Sequence, residues 1–448
     1  MNKLPLLPRT DACAVVAHHE GRAIRHDEFL WQVSKVAERL PQIERVINLC
    51  ADRYWFAVSF FACIQRGIVS LLPNSAAAEH MAAVCVHSHD LFSVGDQAAS
   101  SLPHVPYLRV GHSHDQPVSR SRAVAMPLIP EDRLVARLFT SGSTGVPQAH
   151  NKFFGCLQSS VSAAAQRVWA VTKGPCAVLG TSSFRHMFGF ESSVLLPLLG
   201  GGALSSKVPY FPADVSSALS ELPEPRLLVT TPFHLRNLLE AGIALPRVAA
   251  VLSATAPLSV EMAARAQEQL QTRVVEIFGS TETGQIATRR PTQQTDWSLM
   301  EGVELTQIRE TTVAAGRSLH QAQALSDIIE IVSPTHFRLI DRGSNLVNIA
   351  GKKCTLSLLN QLLSQVPGVR DGIFCLPEQT NGEASARLTA FVVAPQVEPG
   401  YILNALRSHI DPVFLPRPIV LIDELPRDAN GKVTAATLRL LCEQHSNA

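Results

Sequence analysis

The chain has 448 residues, of which 46% are hydrophobic and 17% charged, as in globular proteins of about three domain-sized units. The 39 basic and 38 acidic residues leave a net charge of +1, which provides no bulk attraction for nucleic acid or an anionic membrane and favours small-molecule ligands. No apolar run is long enough for an integral membrane segment, the start lacks a signal core, and the nine cysteines never form a CxxC, so we expect a cytoplasmic protein.

The first 130 residues contain helical patterns separated by the strand-like segments VINLC and IVSLL. The predicted helices are His26–Leu40, Tyr54–Arg66 and Ala76–Val86. We assign this region to the same large domain as the segment that follows it.

From Arg133 onward, strand and helix patterns alternate. The predicted strands are Arg133–Phe139, Ala177–Thr181, Leu227–Thr231, Val248–Ser253 and Val274–Phe278, and the predicted helices are Phe153–Val171, Ala213–Leu222, Phe233–Ala241 and Val260–Leu270. This alternation predicts an α/β fold with parallel sheets flanked by helices and with ligands beyond the carboxyl ends of the strands.

Short apolar segments after Thr288 predict a small β-rich subdomain, and a mixed pattern from Ser344 predicts a small α+β C-terminal domain. The subdomain strands are Val303–Ile308, Ile328–Val332 and Phe337–Ile340, and the later helices are Leu356–Gln365 and Ile402–His409. The predicted domains are therefore residues 1–343 and 344–448.

The segment FTSGSTGVPQAH, Phe139–His150, follows a predicted strand and is rich in glycine and hydroxyl groups. Such a loop brings backbone amides and hydroxyls close to an oxyanion, so it predicts a phosphate site. It lacks the lysine of a Walker loop, and it contains no GxSxG. A flexible linker is the alternative interpretation.

A second polar segment, EIFGSTET at Glu276–Thr283, also follows a predicted strand and adds the carboxylate of Glu282. The two segments resemble the [YF]TSG[ST]TGxP and [YF]GxTE motifs of the adenylate-forming (ANL) superfamily, which includes AMP-binding acyl-CoA and aryl-CoA synthetases. Other motifs of that superfamily follow in order: HMFG resembles HxxG, SATAPL resembles SGGAPL, SDIIE resembles GDxxE, FRLIDRGSNLVNIAGKK resembles FxxxGRxDDxIKxxGxR, and LPRDANGKV resembles LPxTxxGK.

The resemblance implies an ATP-dependent acid–thiol ligase. Such an enzyme activates an aryl or fatty carboxylic acid as acyl-AMP, releases pyrophosphate, and transfers the acyl group to CoA or to the phosphopantetheine thiol of an acyl-carrier protein. It also implies that the C-terminal domain is mobile and rotates about a hinge at Ser344.

The resemblance implies a role for each matching residue. Lys432 is the expected catalytic lysine, His186 lies beside the acyl pocket, and Glu282 with Thr144 holds Mg²⁺. The expected nucleotide-binding residues are Thr140, Ser141, Gly142, Ser143, Thr144 and Gly145 for phosphates, Thr255, Ala256, Phe278, Gly279, Ser280 and Thr281 for adenine and the α-phosphate, and Asp327 and Arg342 for ribose. Without the resemblance, Phe278 is more typical of core packing at a strand end and Lys432 of a solvated surface charge. A buried, hydrogen-bonded structural histidine is the rival interpretation of His186.

The chain departs from the superfamily pattern at a few positions. Gln148 replaces a phosphate-facing lysine, and either Lys152 restores the charge from one helical turn later or the pyrophosphate grip is weaker. Ser344 replaces the usual hinge residue, and Ala254 and Thr255 replace paired glycines. The chain has a short amino-terminal region, and it resembles the compact ligases of aryl polyene and xanthomonadin-type pigment pathways. Two alternatives are an adenylating enzyme with a non-thiol acceptor and a degenerate nucleotide-binding module without turnover.

Overall fold

The computed structural model describes most of the chain. The described residues are 2–8, 11–73, 81, 84–85, 91–100, 102, 104–111, 125–140, 148–309, 311–342, 346–349, 352–376, 387–428, 431, 433 and 435–445. Two compact units divide it: residues 1–305, 314–323 and 332–337 form the first, and residues 306–313, 324–331 and 338–448 form the second. The domain boundary expected after residue 343 remains a prediction.

The strands are short and are numbered in chain order. They are β1 Lys3–Pro5, β2 Val15–His19, β3 Arg22–Arg25, β4 Arg45–Asn48, β5 Val69–Leu72, β6 Phe92–Gly95, β7 Tyr107–Arg109, β8 Leu128–Pro130, β9 Leu134–Thr140, β10 Gln148–Phe153, β11 Ala177–Gly180, β12 Ala203–Ser205, β13 Arg226–Thr230, β14 Ala250–Ser253, β15 Arg273–Ser280, β16 Gly284–Arg289, β17 Trp297–Leu299, β18 Val303–Ile308, β19 Thr311–Gly316, β20 Gln323–Ala324, β21 Asp327–Ser333, β22 His336–Arg342, β23 Leu346–Ile349, β24 Lys352–Thr355, β25 Asp371–Cys375, β26 Thr389–Val393 and β27 Ile419–Leu421.

Helices connect the strands and cover the sheets. They are His26–Arg39, Arg53–Arg66, Phe154–Thr172, Met187–Phe190, Leu196–Gly200, Pro212–Ser220, Pro232–Ala241, Val260–Leu270, Leu356–Ser364, Pro399–Arg407 and Ala435–His445. A π-helical turn, Glu191–Leu195, separates two of them, and Pro412–Phe414 forms a 3₁₀ turn. Among the described residues, no helix has the length and apolar character needed to cross a membrane.

Two sheets of largely parallel strands organise the first unit. The first has the order β10-β9-β5-β4-β6-β7, in which only β10 runs antiparallel to its neighbour. The second runs from β17 through β16, β15, β14, β13, β11 and β12 to β2 and β3, with a parallel centre from β15 to β2. The carboxyl ends of β11, β13, β14 and β15 therefore meet at one edge.

The helices Pro212–Ser220, Pro232–Ala241 and Val260–Leu270 share an apolar core with the parallel centre of the second sheet. Four strand residues of this core form a register row, which consists of Leu179, Leu228, Val251 and Val274. Because side chains alternate between the faces of a strand, residues two positions later lie on the same face at the carboxyl edge. The core thus fixes which side chains reach that edge.

Arg53 joins the helix Arg53–Arg66 to the carboxyl ends of β11 and β12. Its side chain is fully buried, and its Nη1 donates to the carbonyl oxygens of Ser205 at 2.8 Å and Lys207 at 2.6 Å. Its Nη2 donates to the Gly180 carbonyl at 2.7 Å. Burial lowers the pKa of this guanidinium to about 10, because the charge has left water, and the Asp52 carboxylate opposes only part of that shift.

The second unit includes the sheet β25-β26-β27, in which β25 pairs antiparallel and β27 pairs parallel with β26. Helices Leu356–Ser364 and Pro399–Arg407 contribute to its apolar core. Arg427 makes a bidentate ion pair with Asp371 at 2.7 and 2.8 Å, and it donates to the Gly431 carbonyl at 2.7 Å. The segment that precedes Lys432 is thereby attached to the start of β25.

The predicted α/β class is confirmed, and the predicted strands and helices after residue 130 lie within a few residues of their expected bounds. The predicted helix Ala76–Val86 falls mainly outside the described residues. The mobility of the C-terminal domain remains a prediction. Strand β10 was not predicted, because its sequence, QAHNKF, lacks the apolar alternation of a strand.

Candidate active site

The predicted phosphate loop connects the antiparallel strands β9 and β10. Thr140 at the end of β9 pairs with Gln148 at the start of β10, so the two ends of the loop are held together. Ser141, Gly142, Ser143, Thr144 and Gly145 lie outside the described residues. The helix after the loop begins at Phe154, not at the expected Phe153.

Thr140 and Glu282, which lie far apart in sequence, meet at His150. The Nε2 atom of His150 lies 2.9 Å from Thr140 Oγ1 and 3.6 Å from Glu282 Oε1. The His150 side chain is 10% exposed, whereas that of Glu282 is 36% exposed and can reach a ligand. Burial is the main cause of a lowered His150 pKa, while the nearby Glu282 carboxylate opposes the shift. The stem of the phosphate loop therefore adjoins the carboxylate predicted to hold Mg²⁺.

Glu282 lies in a tight turn between β15 and β16. Ser280 N donates to Thr283 Oγ1 at 3.1 Å, and Thr283 N donates to Ser280 Oγ at 3.2 Å, which closes the turn around Thr281 and Glu282. A Cβ at Gly279 would stand 2.1 Å from the Gly284 carbonyl, so only glycine allows the two strands to approach here.

Lys152, which the sequence offered as one way to restore the charge missing at Gln148, is a buried residue. It lies on β10, is 7% exposed, and its Nζ donates to the carbonyl oxygens of Thr281 at 2.5 Å and Glu282 at 3.2 Å. The Lys152 ammonium is hydrogen-bonded to these two carbonyl oxygens, so it does not take the place of the phosphate-facing lysine that Gln148 replaces. Burial lowers the Lys152 pKa, and the Glu191 and Glu282 carboxylates oppose that shift.

Glu191 is a second buried charged group beside this turn. Its Oε1 accepts from Ser160 Oγ at 2.9 Å, and its Oε2 accepts from the backbone N–H of Gln285 at 3.1 Å. Burial raises the Glu191 pKa to about 7 despite these donors and the nearby Lys152 ammonium. The residue begins the π-helical turn, a type of irregularity that is frequent at functional sites.

His186 precedes this turn and is the N-cap residue of the helix Met187–Phe190. Its carbonyl accepts from Phe190 N at 2.8 Å, and its own N–H donates to the Ser183 carbonyl at 3.3 Å. A Cβ at Gly189 would stand 2.1 Å from the Ser183 carbonyl oxygen, which explains the glycine in HMFG. The side chain of His186 is half-buried, and its role beside an acyl pocket remains a prediction.

The SATAPL segment follows β14 and contains a strained residue. Thr255 adopts φ 83°, a conformation that favours glycine, and its buried Oγ1 makes no hydrogen bond within the described part of the chain. Ala256 is exposed. Downstream, the buried Glu276 accepts from Leu258 N at 3.0 Å and from Arg289 Nε at 2.6 Å, which fixes the end of the segment. The backbone at position 255 thus retains the geometry expected of a glycine.

Phe278 packs in an aromatic cluster with Trp297 and Phe337, at ring-centroid distances of 5.4 and 5.3 Å. It is only 8% exposed. This arrangement agrees with the core-packing interpretation, and contact with adenine remains a prediction.

Comparison with known proteins identifies the family. The sequence model described as "AMP-binding enzyme" matches residues 8–309. The chain belongs to the AMP-binding enzyme family, within the adenylate-forming superfamily.

Individual members of the family share limited sequence identity with the chain. A 4-coumarate–CoA ligase of Rhodobacter capsulatus is 28% identical over 261 residues, which cover 57% of this chain and 62% of that protein, less than two thirds of its length. An L-allo-isoleucine:holo-[CmaA peptidyl-carrier protein] ligase of Pseudomonas savastanoi pv. glycinea is 23% identical, with 95% of this chain and 80% of that protein covered.

The fold agrees with that of solved members. The structure of ATP-bound MatB from Rhodopseudomonas palustris superposes with a TM-score of 0.81 at 18% identity, and 98% of each chain is covered. At this identity the likeness establishes the fold alone.

In this AMP-binding enzyme, other predicted site residues belong to the second unit. Asp327 begins β21 and is half-buried. Arg342 ends β22, where only its backbone is described, and Lys432 lies outside the described residues. Their predicted roles in binding and catalysis remain predictions.

Three residues at the candidate site were assigned no such contacts from the sequence: His150, Lys152 and Glu191. His150 and Lys152 lie two residues apart on an edge strand, and Glu191 follows the HMFG segment. Their hydrogen-bond partners lie 10 to 130 residues away in sequence, and several are backbone atoms. A charged residue within an apolar helix pattern, as at Glu191, was the one available signal.

Proposed function

We propose that the chain is an ATP-dependent acid–thiol ligase that activates an aryl or fatty carboxylic acid as acyl-AMP and then transfers the acyl group to a thiol. The observation that carries the proposal is the approach of Thr140 and Glu282 to His150. It connects the phosphate-loop stem with the only glutamate of the IFGSTE motif, as an enzyme that binds ATP through both segments requires. Family membership supports the same reaction class.

In the proposed first step, a substrate carboxylate attacks the α-phosphorus of ATP, the bond to the β-phosphate oxygen breaks, and pyrophosphate leaves. Because both reactants are anions, catalysis depends on positioning and on charge neutralisation. The Thr140 hydroxyl donates a hydrogen bond to a phosphate oxygen, and Thr281 contacts the α-phosphate. Lys432 supplies a compact positive charge to the carboxylate and the α-phosphate.

The donor set around Glu282 is suited to Mg²⁺. Within the described residues, no group of three or more histidine, cysteine or acidic side chains is placed to form a metal cage. Mg²⁺ is commonly bound by one or two carboxylates together with substrate phosphates, which a partly exposed Glu282 beside a phosphate loop allows. Mg²⁺ bound there would offset phosphate charge, and Thr144 is its other proposed ligand.

The acid and the thiol are the finer parts of the proposal. Phe184–Phe190 and Phe233 are the proposed lining of the acyl pocket, and their largely apolar character suits an aryl or fatty acid. CoA and a carrier-protein phosphopantetheine are both proposed acceptors, since relatives carry the names of CoA ligases and of a peptidyl-carrier protein ligase. A cytoplasmic location and a place among pigment-pathway ligases remain predictions from the sequence.

Carboxylate-dependent ATP–pyrophosphate exchange tests the proposal with a panel of aryl, cinnamic and medium-chain acids. We expect exchange with one acid class, its loss in Lys432→Ala, and its retention in Arg407→Ala, which removes an exposed cation elsewhere in the second unit. Adding CoA or a phosphopantetheinylated carrier protein then tests thiol transfer. ATP binding without exchange for any acid would favour a degenerate nucleotide-binding module, and exchange without thiol transfer would favour another acceptor.

A further inference from the structure

Strand β10 directs two basic side chains at the turn that carries Glu282. His150 and Lys152 are two residues apart, so they lie on the same face of the strand. His150 approaches the Glu282 carboxylate, and Lys152 binds the main chain of the same turn. Asn151 lies on the opposite face, where its Oδ1 accepts from Arg137 Nε at 3.0 Å.

The contacts of Lys152 fix the orientation of two successive peptide groups. Its ammonium is bonded to the carbonyl oxygens of both Thr281 and Glu282. Each peptide group is planar, so holding two consecutive carbonyls restricts the backbone dihedrals between them. Those dihedrals belong to Glu282 and set the direction of its side chain, the proposed contact to Mg²⁺. The first of the two carbonyls belongs to Thr281, the proposed contact to the α-phosphate.

Glu191 holds the following part of the turn from another segment. It accepts from Gln285 N at 3.1 Å, while a Cβ at Gly284 would stand 2.9 Å from its Oε1, so the carboxylate lies directly against the chain. The Glu191 carboxylate also opposes the lowering of the Lys152 pKa that burial causes. Burying an ammonium is costly unless it is hydrogen-bonded, and this site provides two carbonyl acceptors on the turn that Glu191 also holds.

We propose that Lys152 and Glu191 form a buried brace that fixes the turn at residues 280–285 and directs Thr281 and Glu282 toward magnesium-bound ATP. Lys152 is a positioning residue, because its Nζ binds the main chain of the turn. The proposal deepens the function proposed above and rests on it. Such supporting groups commonly change metal affinity or activity by roughly 10- to 100-fold when removed.

The experiment measures ATP binding by calorimetry with Mg²⁺ and with EDTA for wild type, Lys152→Met and Asn151→Ala. We expect Lys152→Met to weaken MgATP binding roughly 10- to 100-fold and to lose most of the affinity that Mg²⁺ adds. Asn151→Ala changes the same strand on its opposite face and should stay within about twofold of wild type. Lys152→Arg, which keeps the charge and donors, should restore part of the Mg²⁺ effect.

A double-mutant cycle without nucleotide tests the brace itself. We expect Lys152→Met and Glu191→Gln to destabilise the protein singly, and the double variant to lose less stability than their sum, because both side chains hold the same turn and the second substitution acts on a turn that the first has already loosened. If Lys152→Met does not fold, the same binding comparison is made with Glu191→Gln.

The outcomes separate this inference from the proposed function. Unchanged MgATP affinity in a folded, less stable Lys152→Met variant would leave Lys152 a structural residue and overturn the positioning role. Strictly additive stability losses would overturn the shared brace. A wild-type protein that binds no MgATP, with coupling still present in the cycle, would instead refute the proposed function.

Discussion

Replacement of Arg53 by methionine tests whether its guanidinium holds the helix Arg53–Arg66 to the second sheet. Methionine keeps much of the apolar stem but removes the donors to three carbonyl oxygens. The bonds to Ser205 and Gly180 are buried, and a buried polar group left without a partner costs about 1–3 kcal/mol. Two such carbonyls together lower the free energy of unfolding by about 2–6 kcal/mol, and we expect a loss of about 4 kcal/mol.

Chemical denaturation at pH 7, with the midpoint and slope fitted separately, measures this loss as a change in the free energy of unfolding. Arg66→Met is the matched control, because Arg66 lies at the exposed end of the same helix and should change stability by no more than about 0.5 kcal/mol. Arg53→Lys should fall between them, since one ammonium cannot reproduce the fork of donors. An Arg53→Met variant as stable as Arg66→Met would refute the reasoning.

Three further predictions concern backbone fit and a buried charge. Gly189→Ala should lower the free energy of unfolding, measured by thermal unfolding, by about 1–3 kcal/mol, because its Cβ would stand 2.1 Å from a carbonyl oxygen. The control Gly400→Ala, whose Cβ would meet nothing within 4 Å, should be neutral or stabilising. Thr255→Gly should raise the free energy of unfolding by about 1 kcal/mol, because it relieves a positive φ and removes a buried unpartnered hydroxyl; a loss would contradict the assigned strain. Because the folded pKa of Glu191 is raised from 4.5 to about 7, its stabilising contribution is complete below pH 4.5 and is lost as pH rises through 7. The stability of wild type relative to Glu191→Gln should therefore fall by up to about 3 kcal/mol over that range, and a flat or rising difference would contradict the burial of Glu191.

The sequence was sufficient for the alternating part of the fold. The strands β11, β13, β14 and β15 are short apolar runs, and the helices between them have clear periodicity, so local pattern and final packing agree. The polar segment that carries Glu282 was also recognised from the sequence, whereas its turn, in which Gly279 is required by the close approach of Gly284, is a finding of the structure.

The sequence was not sufficient where stability comes from distant backbone atoms. Strand β10 lies at the edge of its sheet and has a polar sequence, so it has no periodic apolar signal. An isolated lysine is ordinarily a solvated surface group, and the carbonyls that bury Lys152 lie about 130 residues later. The π-helical turn that places Glu191 likewise has no distinct sequence pattern.

The pairing of Thr140 with Gln148 bears on which insertions and deletions the chain tolerates between them. Side chains alternate along β10, so a slip of one residue against β9 would turn Lys152 away from Thr281 and present Asn151 or Phe153 in its place. A change in loop length therefore has to be absorbed by residues 141–147 alone. In this family member, the strand register on either side of the predicted phosphate loop therefore constrains where its length can change.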